Sequence, residues 1–127
     1  MILDTNAVSA LLEGDRALAE VLSGSAMHHL PVIVLGEYRF GLLRSRARRA
    51  LERWIQQLQD ESIVLTIDEQ TPPIYATVRE ELRRAGSPIP SNDLWIAALA
   101  IQHGLPLVSL DGHFDAVQGL KRISWRN

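Results

Sequence analysis

One segment constrains the fold more than any other, because it is apolar on every side. If Leu94 to Ile101 forms a helix, every face of that helix is hydrophobic. Such a helix must lie in the centre of a domain or in a membrane. The segment is much shorter than the roughly 18 apolar residues that a membrane span requires. The chain is therefore predicted to fold around a central, buried helix.

Around that segment, short apolar runs alternate with amphipathic helices. Strands are predicted at Met1 to Leu3, His28 to Pro31, Ser62 to Ile67, Leu105 to Leu110 and Lys121 to Trp125. Helices are predicted after Asp4 as far as Gly14, then over Arg16 to Leu22, Ile33 to Leu43, Arg46 to Leu58 and Leu94 to Ile101. A further helix carries Ile74 and Leu82, has Pro72 and Pro73 near its first turn and stops at Gly86. This alternation is typical of a parallel sheet covered by helices on both faces.

Length and composition exclude several classes of protein. A chain of 127 residues has the usual size of one domain, so we expect a single domain over residues 1–127. The chain has no cysteine, which excludes a disulfide scaffold, a thiolate zinc site and a cysteine nucleophile. The N-terminal residues do not form a signal peptide and no apolar run spans a membrane. We therefore expect a cytoplasmic protein without a membrane partner.

Four acidic residues occupy positions where parallel sheets collect ligands. Asp4 follows the first predicted strand, and Asp111 follows the fourth. Asp93 begins the buried helix, and Glu37 lies on the apolar stripe of its own helix, where a glutamate is seldom buried without a partner. Because ligands bind beyond the carboxyl ends of the strands, we expect these four side chains to meet at one edge of the sheet.

A cluster of this kind needs a counter-charge. Carboxylates that pack together repel one another, so they require a cation or a shared proton. Oxygen ligands without cysteine favour a hard metal, Mg²⁺ or Mn²⁺. Such a metal can activate water and neutralise a phosphodiester during in-line attack. The pattern is therefore compatible with metal-assisted hydrolysis.

Several of these residues also have a purely structural interpretation. Asp4 suits a helix N-cap, Asp93 suits a cap or a partner of the helix dipole, and Asp111 with Gly112 is a frequent turn pair. Taken singly, the cap is favoured for Asp93 and the turn for Asp111. The remaining candidates are interpreted as ordinary histidines and core tryptophans: His28, His29, His103, His113, Trp54, Trp95 and Trp125.

Basic charge is concentrated in one stretch, although the formal net charge is −2. Of the 13 basic residues 12 are arginine, and six of these lie from Arg39 to Arg53. A planar guanidinium suits phosphate or carboxylate better than an ammonium does. In the predicted helix from Arg46 to Leu58, Ala47, Ala50, Leu51, Trp54, Ile55 and Leu58 form the apolar face. Arg46, Arg49 and Arg53 are predicted to share the opposite face, which is either solvated or a binding surface.

Four segments together resemble a known family. They are Met1-Ile-Leu-Asp-Thr-Asn6, Leu35-Gly-Glu-Tyr-Arg-Phe-Gly41, Pro88-Ile-Pro-Ser-Asn-Asp-Leu-Trp-Ile-Ala-Ala98 and Leu107-Val-Ser-Leu-Asp-Gly-His-Phe114. In this order they resemble the PIN-domain ribonucleases, and among these the VapC toxins of type II toxin–antitoxin systems. The resemblance implies a three-layer α/β/α sandwich around a central, mostly parallel sheet with the first strand in the middle.

The same resemblance implies an activity and partners. It implies an endoribonuclease that depends on Mg²⁺ or Mn²⁺, cleaves an RNA substrate, is inhibited by a cognate VapB-like antitoxin and commonly forms a homodimer. The implied catalytic residues are Asp4, Glu37, Asp93 and Asp111. Of these, Asp4 and Asp93 match direct metal ligands, whereas Glu37 and Asp111 match positions that act directly or through water.

The resemblance implies less specific roles for several other positions. Thr5 and Asn6 match residues that shape the pocket, and Ser109 stands where relatives often have threonine. The residues that select RNA or antitoxin vary in the family. We therefore only hypothesise that some of Arg46, Arg49 and Arg53 line an RNA path while others contact an acidic antitoxin tail.

Three other functions compete with this one. A haloacid dehalogenase-like phosphatase also places an aspartate after its first strand, but it needs a second acid where this chain has Asn6, and a lysine where only Lys121 is available. A receiver domain needs an acceptor after its middle strand, where Asp68 is a poor candidate. A catalytically silent PIN-like module that binds RNA or a partner would show the loss of one acid, and none is lost.

Overall fold

The strands form one parallel sheet with the first strand in its centre. The computed structural model describes residues 1–126, and within them five strands pair in the order β3-β2-β1-β4-β5. Each neighbouring pair is parallel. The strands are β1 (Ile2–Leu3), β2 (His29–Pro31), β3 (Ile63–Leu65), β4 (Leu107–Val108) and β5 (Arg122–Ile123). The predicted parallel sheet with a central first strand is confirmed.

Helices fill the connections between the strands. They are α1 (Thr5–Leu12), α2 (Arg16–Leu22), α3 (Val32–Leu42), α4 (Arg48–Asp60), α5 (Thr71–Arg84) and α6 (Ser91–His103), with a short 3₁₀ helix over Gly112–Ala116. The chain is thus an α/β fold whose sheet is flanked by helices. No helix in the described residues is long and apolar enough to cross a membrane.

The predicted central helix contributes more buried residues to the core than any other described helix. Leu94 and the run from Ile96 to Ala100 are buried in α6, which packs against α5 and α3. The helix ends at Gly104, whose φ of +62° is the left-handed conformation that glycine adopts without strain. Both central strands are fully buried as well. The core therefore surrounds the β1–β4 pair, and its packing fixes the positions of the residues that follow these two strands.

One helix begins later than its sequence predicts. The predicted start at Arg46 is wrong, because α4 begins at Arg48 and Arg46 lies in the preceding turn. The cause is local: the Ser45 hydroxyl accepts a hydrogen bond from the Ala47 amide at 3.1 Å, which competes with the helix for that donor. Ala47 and Ala50 are consequently exposed, and Ile55 is the buried residue of α4.

All five strands are shorter than predicted, and hydrogen bonds at helix ends account for the late start of two of them. The Ser62 amide bonds the Gln59 carbonyl at the end of α4, so β3 begins only at Ile63. The Leu105 amide likewise bonds the Ala100 carbonyl of α6, so β4 begins only at Leu107. In both cases the end of a helix takes the backbone groups that the apolar pattern assigned to the sheet.

Candidate metal centre

The order of the strands reverses at β1, in the centre of the sheet. Strands β2 and β3 lie on one side of β1, and β4 and β5 lie on the other. Such a switch point opens a crevice beyond the carboxyl ends of the two central strands. Asp4 is the first residue beyond β1, and its amide bonds the Val108 carbonyl at 3.1 Å. The crevice therefore lies at Asp4 and at the residues that follow β4.

Asp4 caps a helix and faces this crevice at the same time. Its Oδ1 accepts a hydrogen bond from the Thr5 amide at 2.8 Å at the start of α1, and its Oδ2 accepts one from the Ser109 hydroxyl at 2.6 Å. The residue is only 3% exposed. Burial raises the pKa of Asp4, and the hydrogen bonds from Ser109 and Thr5 oppose that rise. The structural and the functional interpretations of Asp4 are therefore compatible.

Asn6 links the two strand ends. Its Nδ2 lies within 3.5 Å of Asp4 Oδ2, Ser109 Oγ and Asp111 Oδ2, and its Oδ1 accepts a hydrogen bond from the Leu110 amide at 3.3 Å. The Ser109 hydroxyl also accepts a bond from the Asp111 amide at 3.0 Å. These polar contacts fix the loop after β4 against α1. They also bring Asp111 to the same crevice as Asp4.

Glu37 enters the crevice from α3, where it is only partly exposed. The Thr5 hydroxyl donates a hydrogen bond to Glu37 Oε1 at 3.4 Å, so the glutamate lies directly beside the first turn of α1. Burial raises the pKa of Glu37, and the charges of Asp93 and Asp4 raise it further. The exceptional position of an acid on an apolar stripe is thus explained by its neighbours in the crevice.

Asp93 enters from the first turn of α6. The N-cap of this helix is Pro90, which has no side-chain hydrogen bond to the helix end. The interpretation of Asp93 as an N-cap is therefore wrong. Burial raises the pKa of Asp93, and the charge of Asp4 adds to the rise.

The four predicted acids therefore share one crevice although they come from four separate elements. Three of them, Asp4, Glu37 and Asp93, have a raised pKa to which neighbouring carboxylates contribute. Close carboxylates of this kind are stabilised by a divalent cation, and their oxygens are the ligands that Mg²⁺ and Mn²⁺ prefer. The donor set fits such a cation.

A histidine that the sequence does not single out also lies here. His113 Nε2 is 2.9 Å from Asp93 Oδ2, and one ligand atom each from Asp93, Asp111 and His113 lie within 4.8 Å of one another. His113, which is interpreted from the sequence as an ordinary histidine, therefore lies in contact with one of the predicted site residues. The signal in the sequence was its position two residues after Asp111, just beyond a strand end. The other three histidines lie away from this cluster: His28, His29 and His103.

The arginine stretch does not contact these carboxylates. Arg46 lies in a turn, while Arg49 and Arg53 are exposed on α4. In the part of the chain that the structure describes, none of the three makes a hydrogen bond or an ion pair with the acidic cluster. Their role in binding remains a prediction.

Known proteins share both the sequence pattern and the fold. The profile of the PIN domain matches residues 1–120. Ribonuclease VapC4 of Mycobacterium tuberculosis is 34% identical over 95 residues, which cover 73% of each chain. The structure of VapBC2 from Rickettsia felis, bound to a DNA fragment from their promoter, matches with a TM-score of 0.86 at 24% identity, over 98% of each chain. VapBC-5 from Mycobacterium tuberculosis, of the VapBC family of toxin-antitoxin systems, matches with a TM-score of 0.66 at 27% identity, over 76% of this chain and 81% of that chain.

Proposed function

Because this chain belongs to the PIN-domain family and is a relative of the VapC ribonucleases, we propose that it is a metal-dependent endoribonuclease and the toxin of a type II toxin–antitoxin pair. The observation that carries the proposal is the convergence of Asp4, Glu37, Asp93 and Asp111 at the centre of the sheet. Family membership excludes the phosphatase and receiver-domain alternatives. Residues 1–127 act in this proposal as one nuclease domain.

The acidic residues have different roles in binding the cation, which is Mg²⁺ or Mn²⁺. When bound, it supplies activation of the attacking water and neutralisation of the phosphodiester charge. Asp4 and Asp93 are its direct ligands, and Glu37 and Asp111 complete the centre directly or through water. Since these side chains belong to four different elements, correct folding of the sheet is what assembles them.

The polar residues around the acids orient them. Ser109 and the Thr5 amide each bond one oxygen of Asp4, which fixes the plane of that carboxylate. Asn6 holds the loop that carries Asp111, and the Thr5 hydroxyl restrains Glu37. Side chains that hold ligands in place in this way raise the affinity of a metal centre.

Cleavage of RNA by matched variants tests this function. We expect the purified protein to cut labelled single-stranded RNA with Mg²⁺ or Mn²⁺, and to stop cutting when the metal is chelated. Asp93→Asn is expected to lower the rate by orders of magnitude, because the variant loses a ligand of the centre. Asp60→Asn, an exposed aspartate at the end of α4, is the matched control. Wild-type rates in Asp93→Asn, or equal rates with and without chelator, would contradict the assignment.

An apolar groove beside the acidic cluster supports an antitoxin partner. Thr5 and Glu37 line it together with Leu12, Leu42 and Leu51 from α1, α3 and α4. On the same stretch of α3 and the turn after it, Phe40 is 70% exposed and Leu43 is 49% exposed. Exposed apolar surface of this kind marks binding sites for other proteins. A segment of antitoxin in this groove would reach the acids and block access of RNA.

Binding to the protein encoded by the gene immediately upstream of this one tests this partner. We expect the two proteins to co-purify and the complex to be inactive on RNA. Phe40→Ala is expected to weaken the complex without slowing cleavage by the free protein, whereas Val32→Ala, at another exposed apolar position of α3, should change neither. A complex that resists Phe40→Ala would place the antitoxin on another surface.

A further inference from the structure

The backbone that carries His113 is fixed on several sides. Phe114, the next residue, is fully buried, and its ring centroid lies 4.7 Å from that of His113. Asp115 pairs with Arg122 through contacts of 2.8 and 2.9 Å, and Arg122 also donates a hydrogen bond to the Ser109 carbonyl at 3.1 Å. The 3₁₀ helix is therefore tied to the core, to β5 and to the end of β4. This attachment presents the imidazole to the crevice from a rigid support.

The imidazole reaches the acids with a nitrogen atom. His113 Nε2 lies 2.9 Å from Asp93 Oδ2, and ligand atoms of Asp93, Asp111 and His113 all lie within 4.8 Å of one another. Two ligand atoms of one cation with bonds of about 2.1 Å lie at most about 4.2 Å apart. Small side-chain movements are therefore sufficient to bring the three atoms into one coordination shell.

We propose that His113 is a nitrogen ligand of the metal centre, where it shares a cation with Asp93 and Asp111, and that it makes the centre prefer Mn²⁺ to Mg²⁺. Mg²⁺ is bound almost entirely by oxygen and gives up its water reluctantly, whereas imidazole nitrogen is a common ligand of transition metals. A centre with only carboxylates lacks this basis for discrimination. The nitrogen of His113 supplies it.

The other possible role of His113 is to position Asp93 by a hydrogen bond without touching the metal. In that case the histidine orients a ligand, but the metal is surrounded only by oxygen. The two roles differ in whether a histidine nitrogen is bonded to the cation. Spectroscopy of bound Mn²⁺ answers that question without any measurement of activity.

Pulsed electron paramagnetic resonance of the Mn²⁺-loaded full chain is the test. We expect electron spin-echo modulation from a directly bound ¹⁴N nucleus, and we expect it to change to the ¹⁵N pattern when the protein is grown with ¹⁵N-histidine. This labelling needs no variant, so it does not depend on the folding of a mutant. His113→Gln is expected to lose the modulation, and His103→Gln, an exposed histidine at the far end of α6, is expected to keep it.

Binding titrations measure the preference between the two metals. His113→Gln is expected to bind Mn²⁺ about tenfold more weakly or worse, while its affinity for Mg²⁺ changes by no more than about threefold. An equal loss for both metals would assign His113 to positioning and overturn the inference, as would nitrogen modulation that survives in His113→Gln.

The inference rests on the proposed function only for the presence of a divalent cation. Bound Mn²⁺ without modulation from a histidine nitrogen would overturn the role of His113 and leave metal-dependent cleavage of RNA intact. Failure of the wild-type protein to bind Mn²⁺ at all would overturn both. Bound Mn²⁺ with histidine modulation but no cleavage of RNA would support this inference and contradict the proposed nuclease.

Discussion

Like charges lie close together at both ends of the sheet, but the repulsion between them is relieved differently at each end. At the carboxyl end, burial raises the pKa of Asp4, Glu37 and Asp93, and the charge of at least one neighbouring carboxylate adds to each rise. At the amino end, burial and the positive N-terminus lower the pKa of His28 and His29. Histidines near neutral pH relieve the repulsion by losing a proton. Neutral pH is far above the ordinary pKa of a carboxylate, so these acids do not lose their charge readily, and a cation or a shared proton has to relieve the repulsion between them.

Asp68, beside the last turn of α6, shows how hydrogen bonds stabilise a carboxylate with a structural role. Asp68 accepts a hydrogen bond from the Gln70 amide at 2.8 Å and one from the Gln102 amide group at 3.1 Å. These donors hold its pKa below the usual value. Asp4, Glu37 and Asp93 of the crevice instead have raised pKa values despite their hydrogen bonds. This contrast separates an acid held for structure from acids that await a ligand.

The largest expected effect is the loss of RNA cleavage when an acid of the crevice is replaced, in contrast to a replacement of Asp68. Asp4→Asn is expected to lower the cleavage rate by orders of magnitude while the protein stays folded, because asparagine also serves as an N-cap. Asp68→Asn is expected to cut RNA at the wild-type rate. Rate measurements on both proteins at one Mn²⁺ concentration, with circular dichroism as a check on folding, give the comparison. Similar losses in both would mean that the crevice is not the active centre.

The next effect is stabilisation by metal. A ligand at ten times its Kd that binds only the folded state adds about 1.4 kcal/mol. For a chain of this size we expect Mn²⁺ to raise the Tm by several degrees, at roughly 2–8 °C for each kcal/mol. Thermal melts with Mn²⁺ and with chelator should show this shift in the wild type and in Asp68→Asn. The shift should nearly vanish in Asp93→Asn, and an equal shift in all three proteins would remove Asp93 from the set of ligands.

A smaller effect concerns the metal-free protein and pH. A raised pKa in the folded state stabilises at low pH, and this contribution is lost as the pH rises above the ordinary value of 3.8 for Asp93 and through the folded value. Without metal, Asp93→Asn is therefore expected to match or exceed wild-type stability at pH 7. We expect a gain of at most about 1 kcal/mol, since the group is partly exposed and screened. The gain should shrink towards pH 4 in denaturant titrations, and a gain that is constant with pH would contradict this account.

The amino end is expected to show the opposite dependence on pH. A lowered pKa gives a contribution that is present above the ordinary histidine value of 6.5 and is lost as the pH falls through the folded value. Removal of the titrating group by His28→Gln should therefore help at pH 5.5 relative to pH 8, again by at most about 1 kcal/mol. His103→Gln, on an exposed histidine, is the control. If stability changes equally at both pH values, His28 is not a source of the pH dependence.

The sequence predicts the acidic end of the sheet well because its constraints are strong. A helix that is apolar all round can lie only in the core, which places Asp93 at the centre of the fold. A glutamate on an apolar stripe requires a partner, which singles out Glu37. Asp4 and Asp111 are found because each directly follows an apolar segment that is predicted to be a strand. For Asp93 and Glu37 a charged residue conflicts with an apolar pattern, and such a conflict marks a candidate site.

What the sequence does not predict depends on contacts between distant segments or on single hydrogen bonds. His113 meets Asp93 only because β4 and α6 end at the same crevice, so no local spacing of ligands exists. Asp4 serves as a cap and a site residue together, since its two oxygens have different partners. The late start of α4 follows from one serine hydroxyl, that of Ser45. Helical periodicity alone cannot show these contacts.

The smallest expected effect is on RNA binding by the arginines of α4 and the turn before it. These arginines test whether the RNA-binding surface extends from the acidic crevice along this helix. Leu51 near the start of α4 lines the groove that contains Thr5 and Glu37, whereas Leu58 near its end lies beside His28. The helix thus runs from one end of the sheet towards the other, and a strand of RNA leaving the acids along it would pass Arg49 and Arg53.

Salt dependence separates a phosphate contact from a solvated arginine. Each phosphate contact to single-stranded RNA contributes about 0.7 to the slope of log affinity against log salt. Replacing Arg46, Arg49 and Arg53 together by alanine should therefore flatten the slope by up to about 2 if all three contact phosphate. Arg84→Ala, an exposed arginine at the end of α5, should leave it unchanged. Binding to the inactive Asp93→Asn protein at several salt concentrations avoids cleavage during the measurement. An unchanged slope in the triple variant would assign these arginines to solvated positions on α4 and the turn before it, and would confine RNA contacts to the crevice and the surfaces nearest to it.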